Sequence, residues 1–596
     1  MSAVVLAATV AFSAATAIGR AAEPAQPLYA LPFLHVGPAS GPAGLPQVMD
    51  PAGRVVMLRG VNVNGLEDYW ADSATPLATP YPTTPAAYAG GACPRRNPAV
   101  ESMAVCALDF PQLQALGYDS IRLGVSWSLL EPAPGVISTS YIDRIQQVVE
   151  WARSAGLYVV IDMHQDAWSK YVYTPAGQPC PPPFKTVGGF HESDGAPAWA
   201  STALTPTCAL NGTRELDTAV QENFQKLWSD LPGPDNIGLQ EHYAAVMVAL
   251  ARRFGGDSTV AGYEIINEPS PGLTAPDVMA VTELFPFYAK VIGTVTSAVP
   301  GFQQLFFVEP DITRDITDKS LALVPWSTFS SYRNVVYSPH IYTRVFTPDA
   351  ALNAPVLDAA FPLDGGYRSS VADAVNLGLP LWVGEFGNDV ADDDAFLRAH
   401  YAYSDSDTIG NSLWVWKADL AAGFSVYHGP FGDGSAFPSR LKFTSRVYPL
   451  FTAGVLDAVD YQPDTGIAQV RGTSAVATAC GARALATVVF VPSTATGRVT
   501  VVNAGLEVLA VPGGRLAFVY PAGGAYSMSV GPAGDSAVTG SCIPAVIDVT
   551  GGRATPTTST AGPAGAEAGL LVALAAMAAA GPGVRRRRRE RARREA

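Results

Sequence analysis

Eight apolar, strand-like runs recur between residues 55 and 417 and are separated by helical or loop-like segments. The runs read VVMLRGVNV, DSIRLGVSW, LYVVIDMH, VAGYEIINE, QQLFFVE, NVVYSPHIY, LPLWVGEF and NSLWVWK. They are apolar almost throughout, which is typical of parallel strands covered on both faces. Eight strand–helix units in series predict an α/β fold, a (β/α)8 TIM barrel.

The segments between the runs include amphipathic helices. In YIDRIQQVVEWARSAG, the apolar residues Ile142, Ile145, Val149 and Ala152 recur at helical spacing, and Gly156 follows as a C-terminal cap. This pattern predicts a helix that packs one face against the barrel.

Two long insertions, residues 66–108 and 167–220, follow the first and third strands. Loops after barrel strands lie on the carboxyl-terminal face, where the active sites of such barrels are found, so we expect these two to wall a substrate cleft. Each contains two of the six cysteines. Many pairings are open to six cysteines, and pairing of sequence neighbours is our expectation: Cys93/Cys106, Cys180/Cys208 and Cys480/Cys542.

The ends of the chain differ from its centre in composition. Residues 1–22 resemble a secretory signal peptide, with cleavage after Ala17 or Ala22, and a buried helix is the alternative. We expect the barrel domain over 27–452, an antiparallel β-sandwich over 453–550 and a Thr/Pro/Gly linker over 551–567. Residues 568–584 are uncharged and predict a C-terminal membrane anchor, followed by an Arg-rich cytoplasmic tail over 585–596, although a dispensable disordered tail is the alternative. A secreted or cell-surface protein follows from these features.

The charge balance bears on partners. The formal net charge is −14 even though the last twelve residues hold eight Arg and two Glu, so the body of the chain is strongly acidic. This argues against nucleic-acid binding and for a neutral substrate or one that bulk charge does not recognise. No cysteine or histidine spacing indicates a metal site, and we expect neither a metal nor another cofactor. Nothing fixes the oligomeric state, and a monomer is the expectation.

Two predicted strands end in a glutamate, at Glu268 in IINEP and at Glu385 in WVGEFG. In a barrel, two such carboxylates face each other across the mouth. Glycoside hydrolysis needs this pair, because one carboxyl must protonate the leaving oxygen while the other must be ionised to attack the anomeric carbon. We therefore expect Glu385 to be the nucleophile and Glu268 the acid/base. For either glutamate taken alone, a helix-cap or ion-pair role is the favoured interpretation, and the pairing of the two favours catalysis.

The motifs around these glutamates resemble glycoside hydrolase family 5. The resemblance implies roles in substrate or nucleophile binding for further residues, which occur in the family's order: Arg122 in IRLGVSW, His164 in DMHQD, Asn267 before the acid/base, His340 and Tyr342 in SPHIY, and Trp416 in SLWVWK, with Trp414 as the less favoured choice. It also implies that Arg122 and Tyr342 hold Glu385, that Asn267 bonds the sugar 2-hydroxyl, and that Trp416 offers a stacking floor for the sugar.

Within that family, DMHQDAWSKY, DGAPAW and the junction YPLFTAG into the sandwich are similar to endoglycoceramidases, over about residues 50–550. This resemblance implies a glycosphingolipid substrate, a membrane surface as a partner, a sugar-binding role for Asp166, and a cleft role for Trp199. An endo-β-glucanase or a lipid or steryl β-glucosidase on the same barrel is the alternative. A non-catalytic carbohydrate-binding protein of the cell surface is the alternative from another class.

For several other residues a structural role is the favoured interpretation. Glu309 in FFVEP also closes a strand before a proline but lacks the preceding asparagine, so we expect a structural or peripheral role. The phenylalanines at 285, 287, 346 and 386 are candidates for a ceramide groove, and core packing is the favoured interpretation for each.

Overall fold

The computed structural model describes residues 29–70, 77–95, 97, 100, 102–174, 177–186, 193–201, 207–210, 214–321, 323–343, 364–388, 393–418, 424–426, 438–531 and 538–539. All of them lie in the first of two compact units, Met1–Val546. The predicted signal peptide, linker, anchor and Arg-rich tail lie outside the described residues.

The strands carry the two parts of the fold. In chain order they are β1 His35–Ser40, β2 Leu45–Met49, β3 Arg54–Val55, β4 Arg59–Val63, β5 Ser120–Ser126, β6 Tyr158–His164, β7 Phe184–Thr186, β8 Cys208–Leu210, β9 Val260–Glu264, β10 Leu305–Val308, β11 Val335–Tyr337, β12 His340–Ile341, β13 Trp382–Phe386, β14 Gly410–Leu413, β15 Tyr448–Ala453, β16 Val455–Tyr461, β17 Ala468–Ser474, β18 Thr487–Pro492, β19 Arg498–Val502, β20 Ala504–Val511, β21 Gly514–Pro521, β22 Gly524–Gly531 and β23 Val538–Thr539.

A parallel sheet in the order β11-β10-β9-β6-β5-β4-β14-β13-β12 forms the barrel. The strands β11 and β12 are two halves of the sixth barrel strand, interrupted at Ser338 and Pro339. The ring closes because Tyr337 in β11 donates its backbone N–H to the carbonyl of Pro380, just before β13. The eight predicted strands and the (β/α)8 barrel are confirmed.

Helices surround the barrel. They are α1 Asp109–Leu116, α2 Trp127–Leu130, α3 Thr139–Ala155, α4 Thr218–Trp228, α5 Leu239–Phe254, α6 Pro276–Met279, α7 Phe285–Ala298, α8 Ile312–Thr317, α9 Asp364–Leu377, α10 Asp393–Ser406 and α11 Pro438–Thr444. The predicted helix is α3: its four apolar residues are buried, Ser138 caps its first turn by accepting the N–H of Tyr141, and Gly156 ends it with φ 71°.

One apolar stretch, Pro276–Ala298, is long and hydrophobic enough to cross a membrane by length and composition. Half of its most apolar 18-residue window is buried within the protein, and Phe285, Tyr288 and Val291 on α7 belong to the main apolar core. It is a core helix of the barrel layer.

The two insertions carry disulfides as predicted. Cys93 pairs with Cys106, and Cys180 pairs with Cys208 at the start of β8, which pairs antiparallel with β7. The third predicted pair includes Cys542, which lies outside the described residues. The two disulfides indicate an oxidising, extracellular location.

The C-terminal part is an antiparallel β-sandwich of two sheets, ordered β1-β2-β3-β15-β18-β21-β20 and β16-β17-β22-β19-β23. Its first sheet includes β1–β3, although the sequence predicts their segment as part of the barrel domain. Thr452 in β15 pairs with Val55 in β3, so the chain contributes to this sheet both before and after the barrel.

The first sheet of the sandwich packs against the amino-terminal ends of the barrel strands. One apolar cluster joins Tyr158, Leu305 and Trp382, which begin β6, β10 and β13, to Phe451 and Phe490 of the sheet. The sandwich therefore covers one end of the barrel and leaves the carboxyl-terminal end for the loops and the site.

Candidate active site

Arg122 is the centre of a buried polar network inside the barrel. It lies in the middle of β5 with only 1% of its surface exposed. Its Nη1 donates to Oε1 of Glu385 at 2.6 Å and its Nη2 to Oδ1 of Asn267 at 2.7 Å. Its other acceptors are Oδ1 of Asn62 at 2.9 Å, Oε1 of Glu309 at 3.2 Å, and a carboxylate oxygen of Glu264. Burial lowers the pKa of Arg122, but the carboxylates, Asp162 and Glu264 foremost, raise it well above its usual value. One permanent cation on β5 thus binds side chains from β4, β9 and β13 and from the residues that follow β9 and β10.

Glu385 lies at the end of β13, beside His340 on the neighbouring strand β12. Its Oε1 accepts from Arg122, and its Oε2 accepts from the hydroxyl of Tyr342 at 2.8 Å. Burial raises the pKa of this carboxyl, and the positive charges of His340 and Arg122 act against that rise. Donors on both oxygens favour the ionised form, as a nucleophile requires.

Glu268 follows β9 and has an unusual backbone, with φ 37° at a non-glycine residue. Such a conformation costs about 1–3 kcal/mol and persists only where the surroundings hold it. Here the N–H of Glu268 donates to Oε2 of Glu309 at 2.9 Å, and its carbonyl accepts from Nε2 of Gln165 at 2.9 Å. Its side chain is 14% exposed, and Oε1 lies 2.8 Å from Nδ1 of His340.

His340 brings the two glutamates together. Its Nδ1 lies 2.8 Å from Oε1 of Glu268 and 3.7 Å from Oε2 of Glu385, so these carboxylate oxygens are no farther apart than the sum of the two distances, about 6.5 Å. Retaining glycosidases place their carboxyls about 5–5.5 Å apart, and inverting ones about 6.5–9.5 Å. The arrangement suits attack on the same sugar carbon whose leaving oxygen is protonated.

His164, Asp166 and Trp414 form the next group. The Nδ1 of His164 lies 2.7 Å from Oδ2 of Asp162, and its Nε2 lies 3.8 Å from Oδ2 of Asp166. The ring of Trp414 stacks on that of His164, with centroids 5.5 Å apart and planes at 11°. Burial lowers the pKa of His164, but Asp162, Asp166 and Asp194 together raise it well above its usual value.

Arg214, from the end of the second insertion, contacts the same group. Its Nη2 lies 3.4 Å from Oδ1 of Asp166. Burial raises the pKa of Asp166, but Arg214 and then His164 lower it below its usual value. Asp166 therefore stays ionised at the edge of the site, where its side chain is 15% exposed.

The structure places the two tryptophans of SLWVWK the other way round from the sequence-based expectation. Trp416 is 1% exposed, and its Nε1 donates to Asp109 Oδ1 at 3.1 Å within the core. Trp414 is half-buried and lies against His164. Side chains two residues apart in a strand point to the same face. The strand β14 ends at Leu413, before both tryptophans, so strand alternation does not predict which of the two faces the cleft.

Trp199 lies in a packed aromatic group. Its ring contacts Trp127 and His242, with centroids 5.5 and 4.7 Å apart, and its Nε1 donates to the carbonyl of Glu131 at 3.0 Å. Its predicted cleft role stays a prediction. Phe285, Phe287 and Phe386 are buried in the barrel core, as favoured from the sequence, and Phe346 lies outside the described residues.

Comparison with known proteins decides the family. The model of the cellulase family (glycosyl hydrolase family 5) matches residues 108–420, slightly more than half of the chain. This chain belongs to glycoside hydrolase family 5. It is therefore a glycosidase, and the matched segment runs from α1 to just beyond Trp416.

Several proteins that resemble this family 5 chain are named endoglycoceramidase or endogalactoceramidase. Endoglycoceramidase I of Rhodococcus hoagii is 26% identical over 371 residues, covering 61% of this chain and 68% of the relative. An endoglycoceramidase of Hydra vulgaris is 26% identical over 289 residues, or 44% of this chain, and the chain spans about half (52%) of that relative. The crystal structure of an endogalactoceramidase superposes with a TM-score of 0.66 and 27% identity, covering 84% of this chain and all (100%) of that one.

Three groups of histidine and carboxylate atoms in the described part of this glycosidase lie within 4.8 Å of one another: His164/Asp166/Asp194, Glu264/Glu309/His340 and Glu268/Asp315/His340. In the first, Arg214 neutralises Asp166. In the second, Arg122 contacts both glutamates, and in the third, His340 is paired with Glu268. Because Arg214 and Arg122 bind carboxylates of the first two groups and His340 binds Glu268 in the third, we assign no metal ligands among them.

Sequence reasoning missed two buried carboxylates of the site, Asp162 and Glu264, which lie inside the barrel with no exposed surface. Glu264 accepts from Ser338 Oγ at 2.6 Å and from Arg122, and Asp162 holds His164. A signal existed, because each is an acidic residue within an apolar strand and a buried carboxylate requires a partner. Glu309, expected to be structural or peripheral, also lies fully buried against Arg122.

Proposed function

We propose that this glycosidase cleaves the β-glycosidic bond between glycan and ceramide in glycosphingolipids, with retention of anomeric configuration. The observation that carries the proposal is the meeting of Glu268 and Glu385 at His340, with oxygens at most about 6.5 Å apart. The similarity to proteins named endoglycoceramidase and endogalactoceramidase supports the substrate class. The superposition on the endogalactoceramidase covers 84% of this chain, well beyond the segment that matches the family model.

In the first step, a carboxylate oxygen of Glu385 attacks the anomeric carbon and forms a glycosyl–enzyme ester. The bond from that carbon to the ceramide oxygen breaks, and Glu268 gives its proton to this oxygen, so ceramide leaves as a neutral alcohol. Arg122 and Tyr342 orient Glu385 for the attack through their hydrogen bonds to its two oxygens.

In the second step, Glu268, now a carboxylate, removes a proton from water. The water oxygen bonds to the anomeric carbon, and the ester bond to Glu385 breaks, which restores both carboxyl groups. Two displacements at one carbon give the retained configuration.

Neighbouring residues hold the sugar in this proposal. Asn267 is fixed by accepting from Arg122 and by donating one Nδ2 hydrogen to the carbonyl of Gln165 at 2.9 Å, and its second hydrogen is assigned to the sugar 2-hydroxyl. His164 and Asp166 bind further hydroxyls. We now assign the stacking floor to Trp414, since Trp416 is part of the core.

We further propose that the enzyme is secreted or held at the cell surface and that it meets its substrate at a membrane. The two disulfides in the insertions support export. Detergent or membrane presentation of substrate is expected to raise activity.

The test is mass spectrometry of products from a mixed panel of glycosphingolipids that includes one-sugar cerebrosides. Steryl β-glucosides and cello-oligosaccharides are tested beside this panel. Intact glycan and free ceramide are expected from wild type and neither from Glu385→Gln. Hydrolysis confined to steryl glucosides or cello-oligosaccharides would assign the alternative enzymes, and binding without turnover would assign a carbohydrate-binding protein. A product of inverted configuration, or an activity abolished by EDTA, would also contradict the proposal.

A further inference from the structure

Glu309 connects the two halves of the proposed catalytic pair. It follows β10 and has no exposed surface. Its Oε2 accepts the backbone N–H of Glu268 at 2.9 Å, and its Oε1 accepts from Nη2 of Arg122 at 3.2 Å. The same Oε1 lies 3.4 Å from Nε2 of His340. One side chain thus touches the backbone of one glutamate, the cation that holds the other, and the histidine between them.

The contacts of Glu309 determine which ring nitrogen of His340 carries a hydrogen. Burial raises the pKa of Glu309 well above its usual value, while the charge and hydrogen bond of His340 and the charge of Arg122 act against that rise. Both of its oxygens face N–H donors, so the oxygen that faces Nε2 acts as an acceptor. Nε2 has no other hydrogen-bond partner among the described residues. A lone pair there would face another lone pair, so Nε2 carries a hydrogen.

We propose that Glu309 is a positioning residue for the acid/base: it holds the left-handed backbone of Glu268 and keeps a hydrogen on Nε2 of His340, so that Nδ1 alone exchanges a proton with Glu268. The inference rests on the proposed role of Glu268. In either charge state of His340 the Nε2–H points at Glu309, and the variable proton lies between Nδ1 and Oε1 of Glu268, 2.8 Å apart.

This shared proton is the one that the reaction needs. When it resides on Glu268, Nδ1 accepts the O–H; when it resides on His340, Nδ1–H donates to the carboxylate. The other charged groups that face His340 are Glu385, at 3.7 Å from Nδ1, together with Glu264 and Asp315. Arg122 faces Glu309 from β5, and Tyr288 on α7 donates its hydroxyl to the Glu309 carbonyl at 3.0 Å.

The variant Glu309→Gln separates these effects from packing, because it keeps the shape but removes the charge. The amide NH2 group of the glutamine faces the N–H groups of Arg122 and Nε2 of His340. Because two donors cannot bond each other, Nε2 is expected to carry a lone pair and the ring hydrogen to move to Nδ1. Losing a negative charge next to His340 also weakens the hold on the shared proton. Both effects act in one direction, so the alkaline limb of the pH profile moves to lower pH.

The direct test does not depend on activity. Wild-type protein labelled with nitrogen-15 histidine is titrated by NMR, and the His340 signals are assigned by difference from His340→Asn. On raising the pH, His340 is expected to lose its proton from Nδ1 and keep Nε2–H in wild type, and to keep Nδ1–H in Glu309→Gln. Loss from Nε2 in wild type overturns the proposal, whether or not the protein hydrolyses a glycolipid.

The kinetic test compares two β-lactosides. A 2,4-dinitrophenyl leaving group departs without protonation, whereas a 4-methylumbelliferyl group depends more on the acid. For Glu309→Gln, kcat/KM for the methylumbelliferyl substrate is expected to fall by at least about tenfold and its alkaline limb to move down by about one pH unit, with a much smaller loss on the dinitrophenyl substrate.

Two matched variants complete the design. Glu309→Asp keeps the charge, and its alkaline limb is expected to stay near that of wild type. Glu264→Gln removes another carboxylate that binds Arg122 and faces His340, but Glu264 is bonded neither to the Glu268 backbone nor to Nε2. His340 is therefore expected to keep Nε2–H in Glu264→Gln. Equal losses on both substrates with an unmoved limb in Glu309→Gln would reduce Glu309 to a packing role. Should Glu309→Gln fail to fold, the wild-type titration decides alone.

Discussion

The hydroxyl of Tyr342 donates a hydrogen bond to Oε2 of Glu385 at 2.8 Å, on the oxygen that Arg122 leaves free. Burial, followed by the charge of Glu385, raises the pKa of Tyr342 well above its usual value, so the hydroxyl remains a donor over the working pH range. With Arg122 bonded to one oxygen and Tyr342 to the other, the carboxylate of Glu385 is held in one orientation and its ionised form is stabilised.

Replacing Tyr342 with phenylalanine removes this donor and keeps the ring. We expect kcat to fall by about tenfold or more, the value of one lost hydrogen bond to a charged group, while KM changes little. Steady-state kinetics on the preferred glycolipid measures the split. A rise in KM at constant kcat would show that the hydroxyl binds substrate instead.

Glu385→Gln is expected to abolish turnover of every β-glycoside, since an amide cannot form the ester intermediate. Glu268→Gln is expected to lower kcat by about 10²–10⁴-fold for a glycolipid, the usual contribution of an acid, but to spare the first step with a dinitrophenyl glycoside. A pre-steady-state burst of dinitrophenol from Glu268→Gln would record the trapped glycosyl–enzyme. Equal behaviour of the two variants on both substrates would contradict the assigned roles.

The two tryptophans should separate binding from stability. Trp414→Ala is expected to lower kcat/KM by up to about tenfold through lost stacking, with a melting temperature close to that of wild type. Trp416→Ala is expected to destabilise the barrel by about 3–5 kcal/mol, as for a buried aromatic residue. Thermal unfolding and kinetics of both variants are the measurements, and reversed results would restore Trp416 as the sugar floor.

Arg214 gives a prediction about low pH. Because it lowers the pKa of Asp166, the ionised form that binds sugar is present above that pKa and is lost as pH falls through it. In Arg214→Ala the acid-side loss of kcat/KM is therefore expected at a higher pH than in wild type, through KM, and Arg214→Lys is expected to restore part of the difference. An unchanged acid limb in Arg214→Ala would separate Asp166 from substrate binding.

Asp119 predicts how stability depends on pH. It is buried just before β5, its Oδ1 accepts from Ser120 at 2.9 Å, its other oxygen has no hydrogen-bond partner in the described structure, and burial raises its pKa to about 7. Its contribution is thus fully present below about pH 4 and is lost as pH rises to about 7. At about 1.4 kcal/mol for each pKa unit, the loss is at most about 4 kcal/mol.

Asp119→Asn should therefore be more stable than wild type at pH 8 and gain nothing at pH 4. The exposed Asp143→Asn is the control, and its stability is expected to stay within about 0.5 kcal/mol of wild type at both values. Urea unfolding at the two pH values provides the comparison. A constant difference across pH would show that Asp119 is ionised in the folded protein.

The barrel was predictable because its signal is local. Continuous apolar runs predict parallel strands, and a glutamate at the end of such a run can be recognised from the sequence alone, as at Glu268 and Glu385. The disulfides in the insertions followed from short separations of 13 and 28 residues. The same local signal did not place β1–β3, whose partner β15 lies about 400 residues later, because a short strand carries no mark of a distant neighbour.

The polar interior of the barrel was less accessible to sequence reasoning. Arg122 was found through its motif, but its acceptors were not, since hydrogen-bond partners depend on which strands adjoin in the ring. Glu309 shows the cost of ranking a residue by motif alone: it lacks the asparagine that precedes Glu268, yet its carboxylate bonds to the Glu268 backbone.

The seven-stranded sheet that covers the amino-terminal end of the barrel draws strands from before β4 and after β14. Truncating this chain at residue 452 to make a minimal hydrolase would remove Phe490 and its neighbours from the amino-terminal end of the barrel. The apolar side chains that they cover would then be exposed to water. Grafts, chimaeras and library designs should therefore treat residues 29–531 as one indivisible cassette.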